Sequence, residues 1–237
     1  MNMIKNKDEI KNIREACRIA AKTWEIVEPQ IKIGRSEREI ADEIISTMLK
    51  LGADKKPESF PTIVAVGSNS VTAHHETGNR KVKQNSVVLV DFGCRFNGYC
   101  SDMTRTIFFG EPTNLYIKIK KAVDTAYITA VNLLTPGVRV SDVDRAARDV
   151  ITEAGYGKQF IHTTGHGLGL KIHEPPNIYL KSKNRLKAGM AITIEPGIYL
   201  PGKFGYRYEN TLIVTRLGSE NMTTLYSAGG TDPVGSK

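Results

Sequence analysis

Apolar residues recur at helical spacing in four stretches, near residues 7–29, 36–51, 114–133 and 141–154, and each predicts a helix. In the second, Ile40, Ile44, Met48 and Leu51 fall on one face, and Ser36-Glu37-Arg38-Glu39 ahead of them has the form of a capping box. The fourth opens with Ser141-Asp142-Val143-Asp144, where the Ser141 hydroxyl is expected to cap in the same way. Short runs rich in Val, Ile and Thr predict strands at 62–66, 86–92, 104–109, 190–194 and 208–215. The small polar residues from Ala228 to Lys237 offer nothing to pack, so a disordered tail is expected there.

These elements read as two copies of one unit. Gly34-Arg35-Ser36 before a helix is echoed by Gly137-Val138-Arg139-Val140-Ser141, and both helices run to a glycine suited to a left-handed C-terminal turn, Gly52 and Gly155. Lys83 to Asp91 matches Lys187 to Glu195, so that in each copy an acid ends an apolar strand. Asp102-Met103-Thr104 and Glu209-Asn210-Thr211 repeat the device on the next strand. A single domain over 1–220 follows, with pseudo-repeats at about 7–110 and 114–218 and a tail at 221–237. Packed about a pseudo-twofold axis, the four carboxylates converge. Buried without compensation they would be very costly, so they must protonate or bind cations. One such acid alone would be an ordinary surface residue; four in matched positions call for a pair of metal ions.

Composition narrows the picture. With 237 residues, 40% hydrophobic and 24% charged, the chain has the make-up of an ordinary globular protein. It has no apolar run of the roughly 20 residues that a membrane helix needs. The polar segment Met1 to Lys11 lacks the apolar stretch of a secretory signal, and a cytoplasmic location is expected. Cys17, Cys94 and Cys100 show no paired spacing, which favours reduced thiols over a disulfide framework or a thiolate zinc site. The formal charge of +8 comes from lysines spread along the chain, which reads as a solvated surface rather than a nucleic-acid interface.

All five histidines fall in two windows: His74 and His75 in one, His162, His166 and His173 in the other. Glycines flank His166 in Gly165-His166-Gly167, removing bulk so that backbone can approach a ligand closely. One imidazole with four carboxylates makes a hard, oxygen-rich donor set, better matched to two ions than to one tetrahedral zinc.

Taken together, Asp91, Asp102, His166, Glu195 and Glu209 resemble the five-ligand set of the pita-bread metallopeptidases. That family comprises methionine aminopeptidases, Xaa-Pro aminopeptidases and Xaa-Pro dipeptidases (prolidases). The resemblance spans about residues 7–220 and rests on Val90-Asp91-Phe92-Gly93, Ser101-Asp102-Met103-Thr104-Arg105-Thr106, Gly165-His166-Gly167-Leu168-Gly169 and His173-Glu174-Pro175-Pro176 in combination. His162 four residues before His166, Arg207 two before Glu209, and Glu195-Pro196-Gly197-Ile198-Tyr199 resemble the proline-specific branch. Members of that branch usually carry an extra N-terminal domain, so the match is to the catalytic unit alone.

The resemblance implies an α+β pita-bread fold of two pseudo-symmetric halves around a curved, mainly antiparallel sheet. It implies two divalent ions, manganese or cobalt first, zinc or iron(II) as alternatives. Asp91 would bind one ion, His166 and Glu195 the other, and Asp102 and Glu209 would bridge. Glu195, or another of the ligand carboxylates, would also take a proton from the attacking water. His173, with Glu174 beside it, would hydrogen-bond the substrate carbonyl or the developing oxyanion; His162 and His74 would contact the substrate's far end or its carboxylate. His75 is expected to be solvated and Arg207 to hold a ligand carboxylate; Tyr199 would either line the pocket or be a buried structural tyrosine. The implied substrate is a peptide with proline at its second position, and the chain is compatible with a homodimer. The alternatives are a methionine aminopeptidase, favoured by the short length, and a non-catalytic peptide-binding module of the same fold.

Overall fold

The structure is a computed structural model, and residues 2–224 are described. Its helices are α1 (Lys7–Val27), α2 (Glu37–Lys50), α3 (Asn114–Val131) and α4 (Val140–Glu153). The strands are β1 (Ile63–Val66), β2 (Ser86–Phe92), β3 (Arg95–Phe96), β4 (Tyr99–Cys100), β5 (Met103–Phe109) and β6 (Gly165–Gly167). They continue with β7 (Glu174–Ile178), β8 (Ala191–Ile194), β9 (Gly197–Tyr199), β10 (Gly205–Arg207), β11 (Asn210–Val214) and β12 (Ser219–Asn221). All four helices and all five strands expected from patterning are present. The unforeseen strands are mostly two or three residues long, too short to show alternation.

The helices form for local reasons. Asn6 and Glu9 cap α1 reciprocally, and Ser36 and Glu39 do the same for α2. Ser141 does not cap α4, contrary to expectation: Arg139 occupies that position without a side-chain hydrogen bond, and Ser141 lies buried inside the helix. The reason is register. Gly137 stands to Gly34 as Gly155 stands to Gly52, and on that spacing Arg139, not Ser141, matches Ser36. The isolated bridges Ser36–Lys81 and Arg139–Arg185 keep the same correspondence. Gly52 and Gly155 have φ of +95° and +89°, the left-handed conformation expected of residues just past a helix end.

β1, β2 and β5 form an antiparallel sheet, and β11, β8, β6 and β7 with β12 form a second. The paired hairpins are out of step by two places. Asn210 faces Ile194, whereas its counterpart Met103 faces Phe92 rather than Val90. A slip of two residues keeps each side chain on its own face of the sheet, so the acids of both halves still share a side. The halves meet at a seam: Thr104 and Glu209 form an isolated bridge, and the Thr211 hydroxyl donates to Asp102 O at 2.8 Å.

Each half has its own apolar core. Trp24, Ile40, Ile44 and Met48 pack on Val64 and Val90 in the first; Val123, Tyr127, Val143 and Ile151 pack with Ile192 and Leu212 in the second. A third cluster crosses between them, where Ile13 and Cys17 of α1 meet Leu168, Ala191 and Ile213. Met222 and Thr223 are buried as well, so packing runs past the expected domain limit at 220, whereas the tail from Ala228 lies outside the described residues. The three cysteines are buried and free. Among the described residues no helix is long and apolar enough to cross a membrane.

Candidate metal centre

The four strand-end acids and His166 converge at the seam. Asp91 lies near the end of β2 and Glu195 just past β8, whereas Asp102 and Glu209 immediately precede β5 and β11, so that each acid sits where its strand meets the seam. His166 Nε2 lies 3.4 Å from Asp102 Oδ2 and 3.5 Å from Glu195 Oε1. One ligand atom each from Asp102, His166 and Glu209 falls within 4.8 Å of the others, the spacing of groups able to share a metal ion. Asp91 joins from the far side, tied to Arg207, whose side chain is buried.

The donor set fits a hard divalent cation. Asp91 Oδ1, Asp102 Oδ1 and Glu209 Oε1 are buried with no hydrogen-bond partner among the described residues. Buried polar atoms are rarely left so, and three on neighbouring acids mark a place for positive charge. His166 Nδ1 lies 3.0 Å from Gly167 O, which makes it the protonated nitrogen and leaves the Nε2 lone pair facing the acids. Thr193 Oγ1 braces both the His166 amide, at 3.0 Å, and Glu195 Oε1, at 3.4 Å. Thr104 Oγ1 donates to Glu209 Oε2 at 2.6 Å. Neither threonine was singled out by the sequence, since each acts only through its tertiary partner.

Electrostatics agree with this. Burial, then the charges of Asp91 and Glu195, holds the Asp102 carboxyl well above the usual range. Burial, then Asp102 and Glu195, does the same for Glu209. Burial also raises Asp91, and Arg207 opposes it. Without a cation the cluster therefore holds protons at pH values where free carboxyls have lost them.

The remaining expected residues ring the site. A cleft of about 850 Å³ is lined by His74, His75, His162, His173, Asp91 and Glu195, among others. His173 stacks edge-on against His166 with centroids 4.4 Å apart, and burial, then the charge of His166, lowers its pKa. Among the described residues neither His173 nor His74 has a hydrogen-bond partner within the chain, so both are free for a ligand. His162 is held differently. Its Nδ1 lies 2.8 Å from Thr163 O and its Nε2 accepts from the Tyr199 hydroxyl at 2.8 Å. Arg207 donates to that hydroxyl at 2.7 Å, to Thr104 Oγ1 at 3.1 Å and to Asp91 Oδ2. Tyr199 thus lies behind the cleft wall in a chain from His162 to Asp91 rather than on its lining, and burial pushes its hydroxyl up to about 12.

Three local expectations are corrected. His75 is half-buried rather than freely solvated: its Nε2 is 3.1 Å from Glu37 Oε2, and His74 is the more exposed of the pair. Glu174 does not serve His173. Glu174, the first residue of β7, turns inward to Lys5 Nζ at 2.6 Å and Lys171 N at 3.0 Å. The glycines around His166 admit protein backbone rather than ligand. A Cβ on Gly165 would lie 2.0 Å from Thr193 O, and one on Gly167 2.4 Å from Pro175 O.

Two like α/β halves that bring acids and one imidazole together at a curved antiparallel seam define the pita-bread class of metallopeptidase fold. Within that class, the chain belongs to metallopeptidase family M24, whose description matches residues 11–216. It is similar to the prolidase from Pyrococcus furiosus, with TM-score 0.92 and 40% identity, covering 95% of this chain and 66% of that one. It is also similar to an Xaa-Pro dipeptidase from Bacillus anthracis, with TM-score 0.91 and 42% identity, covering 93% and 62%. An uncharacterised peptidase of Staphylococcus epidermidis is 44% identical over 220 residues, 93% of this chain and 62% of that protein. The chain thus spans less than two thirds of the length of these relatives.

Proposed function

We propose that the chain is a metal-dependent peptidase that hydrolyses the Xaa-Pro bond at the N-terminus of peptides or in dipeptides. The observation that carries this reading is the set of three unpartnered buried carboxylate oxygens beside the free Nε2 of His166, at the floor of an open cleft. The likeness to an Xaa-Pro dipeptidase and to a prolidase supports the choice of bond.

Asp91, Asp102, His166, Glu195 and Glu209 would hold two divalent ions, manganese or cobalt in preference to zinc or iron(II), which supply an acidified water and a positive field for the scissile carbonyl. The chain's own residues do the rest. Arg207 fixes Asp91, and Thr104 and Thr193 aim Glu209 and Glu195. Glu195, the least buried of the four acids, is the one to accept a proton from the attacking water. His173, kept neutral near pH 7 by burial and by His166, retains an N–H for the substrate's carbonyl oxygen as negative charge develops there. His74 faces the other end of the substrate. His162 spends both ring nitrogens inside the protein and offers the substrate its ring. Phe60, Ile63 and Ile172 give the cleft an apolar wall. Proline suits such a wall because its peptide nitrogen brings no donor that would go unpaired.

The test is release of the N-terminal residue from Xaa-Pro and Xaa-Pro-Xaa peptides by protein loaded with Mn2+ or Co2+, with Met-Ala-Xaa as comparison. Asp102→Ala or Glu209→Ala should abolish cleavage. Preference for Met-Ala-Xaa would move the reading to a methionine aminopeptidase, and undiminished turnover in chelator would end it.

A further inference from the structure

Glu37 is the first residue of α2, fully buried, and outside the ligand set. Its carboxylate gathers one loop. Oε1 accepts from Val66 N at 2.8 Å and from Asn69 Nδ2 at 2.7 Å; Oε2 accepts from Gly78 N at 3.0 Å and lies 3.1 Å from His75 Nε2. Those partners are the end of β1, the short helical turn after it, the middle of the following loop, and its exit. The loop runs from Gly67 to Gly78 and carries His74 into the cleft. Arg80 donates to Asn69 Oδ1 at 2.9 Å, which fixes the amide so that its nitrogen faces Glu37. An ionised carboxylate only accepts, so His75 presents its Nε2–H to Glu37. Burial pushes the Glu37 carboxyl up, and the four donors more than offset it, leaving it below the usual range.

His74 has no such anchor of its own. It is exposed and without a hydrogen-bond partner among the described residues, so its position depends on the backbone on either side of it. We propose that Glu37 is a positioning residue: it latches the 67–78 loop at three points within it and at Val66 just before it, and thereby holds His74 over the cleft. The role rests on the peptidase reading for its effect on turnover, but the latch itself does not.

Glu37→Gln is the sharpest variant because it keeps the size and turns one acceptor into a donor. On the Oε1 side its NH2 meets two donors, Val66 N and Asn69 Nδ2; on the Oε2 side it still meets Gly78 N, even if His75 changes tautomer to accept. The loop amides from 67 to 78 should then exchange with solvent about tenfold faster or more, while β2, β8 and metal uptake keep parental behaviour. kcat/KM on an Xaa-Pro peptide should fall on the order of ten- to a hundredfold. The two losses should not add: in a His74→Ala background, Glu37→Gln should cost little more. A loop that exchanges at the parental rate, or penalties that add in full, would overturn the proposal. Asn69→Leu removes one of the four donors to Glu37, together with the acceptor for Arg80, and gives a milder version of the same test should Glu37→Gln fail to fold. If the parent cleaves no peptide at all, the peptidase reading falls and the latch is judged separately. Unchanged His74 ring NMR signals in the Glu37→Gln protein would then reject it, and shifted ones would sustain it.

Discussion

Arg207 shows how much one side chain can settle. Its planar fork reaches Asp91, Thr104 and Tyr199 at once, and a lysine has one point of charge where arginine has three directed donors. Arg207→Lys should therefore keep the charge and lose the geometry, weakening metal binding about 10–100-fold in a direct titration while the protein stays folded. The carboxylates beside it make a prediction with a definite sign. Burial and mutual repulsion hold Asp102 and Glu209 in their protonated forms above the range where free carboxyls ionise, and a cation binds only the deprotonated forms. Metal uptake should therefore release protons, and affinity should fall as pH falls. Calorimetry in buffers of different ionisation enthalpy checks this, and uptake without proton release would contradict it. At this scale the acids and His166 were legible because the chain repeats them and crowds its histidines together. Glu37, Thr104 and Thr193 were not, because nothing in their neighbouring sequence marks what they touch across the fold.

Helix ends and strand contacts carry predictions of their own. Ser36 accepts from Glu39 N and is half of a complete capping box, so Ser36→Ala should cost about 1 kcal/mol in chemical denaturation. Gly165 admits Thr193 O at a distance no Cβ tolerates, whereas a Cβ on Gly218 meets nothing within 4 Å. Gly165→Ala should cost more than about 3 kcal/mol, or abolish soluble expression, while Gly218→Ala should melt with the parent. The long helices were readable since their apolar stripes run over several turns. β6, β9 and β10 were not, since three residues cannot display a period of two. The Ser141 cap failed for a reason the sequence did contain: the glycine spacing points to Arg139, but a serine before a polar turn is the stronger local signal.

Across the molecule, the two halves supply different parts of the centre: Asp91 and Asp102 from one, His166, Glu195 and Glu209 from the other. A cation held there cross-links them. Excess Mn2+ or Co2+ should raise the melting temperature of the whole chain in one transition, by the equivalent of about 2.7 kcal/mol at a hundredfold excess over Kd. Two separate transitions, only one of them metal-sensitive, would argue against a shared site. The pseudo-repeat was visible in the sequence as matched glycines and acids. The two-place slip between the hairpins was not, because pairing register is decided by how the strands pack, and a slip of two leaves the inward pattern unaltered.

The buried guanidinium of Arg207 has a last consequence. Because one permanent positive charge is built in beside Asp91, and burial and mutual repulsion shift Asp102 and Glu209 towards their neutral forms, the centre is not left as a block of naked like charge before any ion arrives. The chain is therefore expected to keep its native form in chelator, and near-UV circular dichroism of chelator-treated protein checks this; loss of the native signal would contradict it.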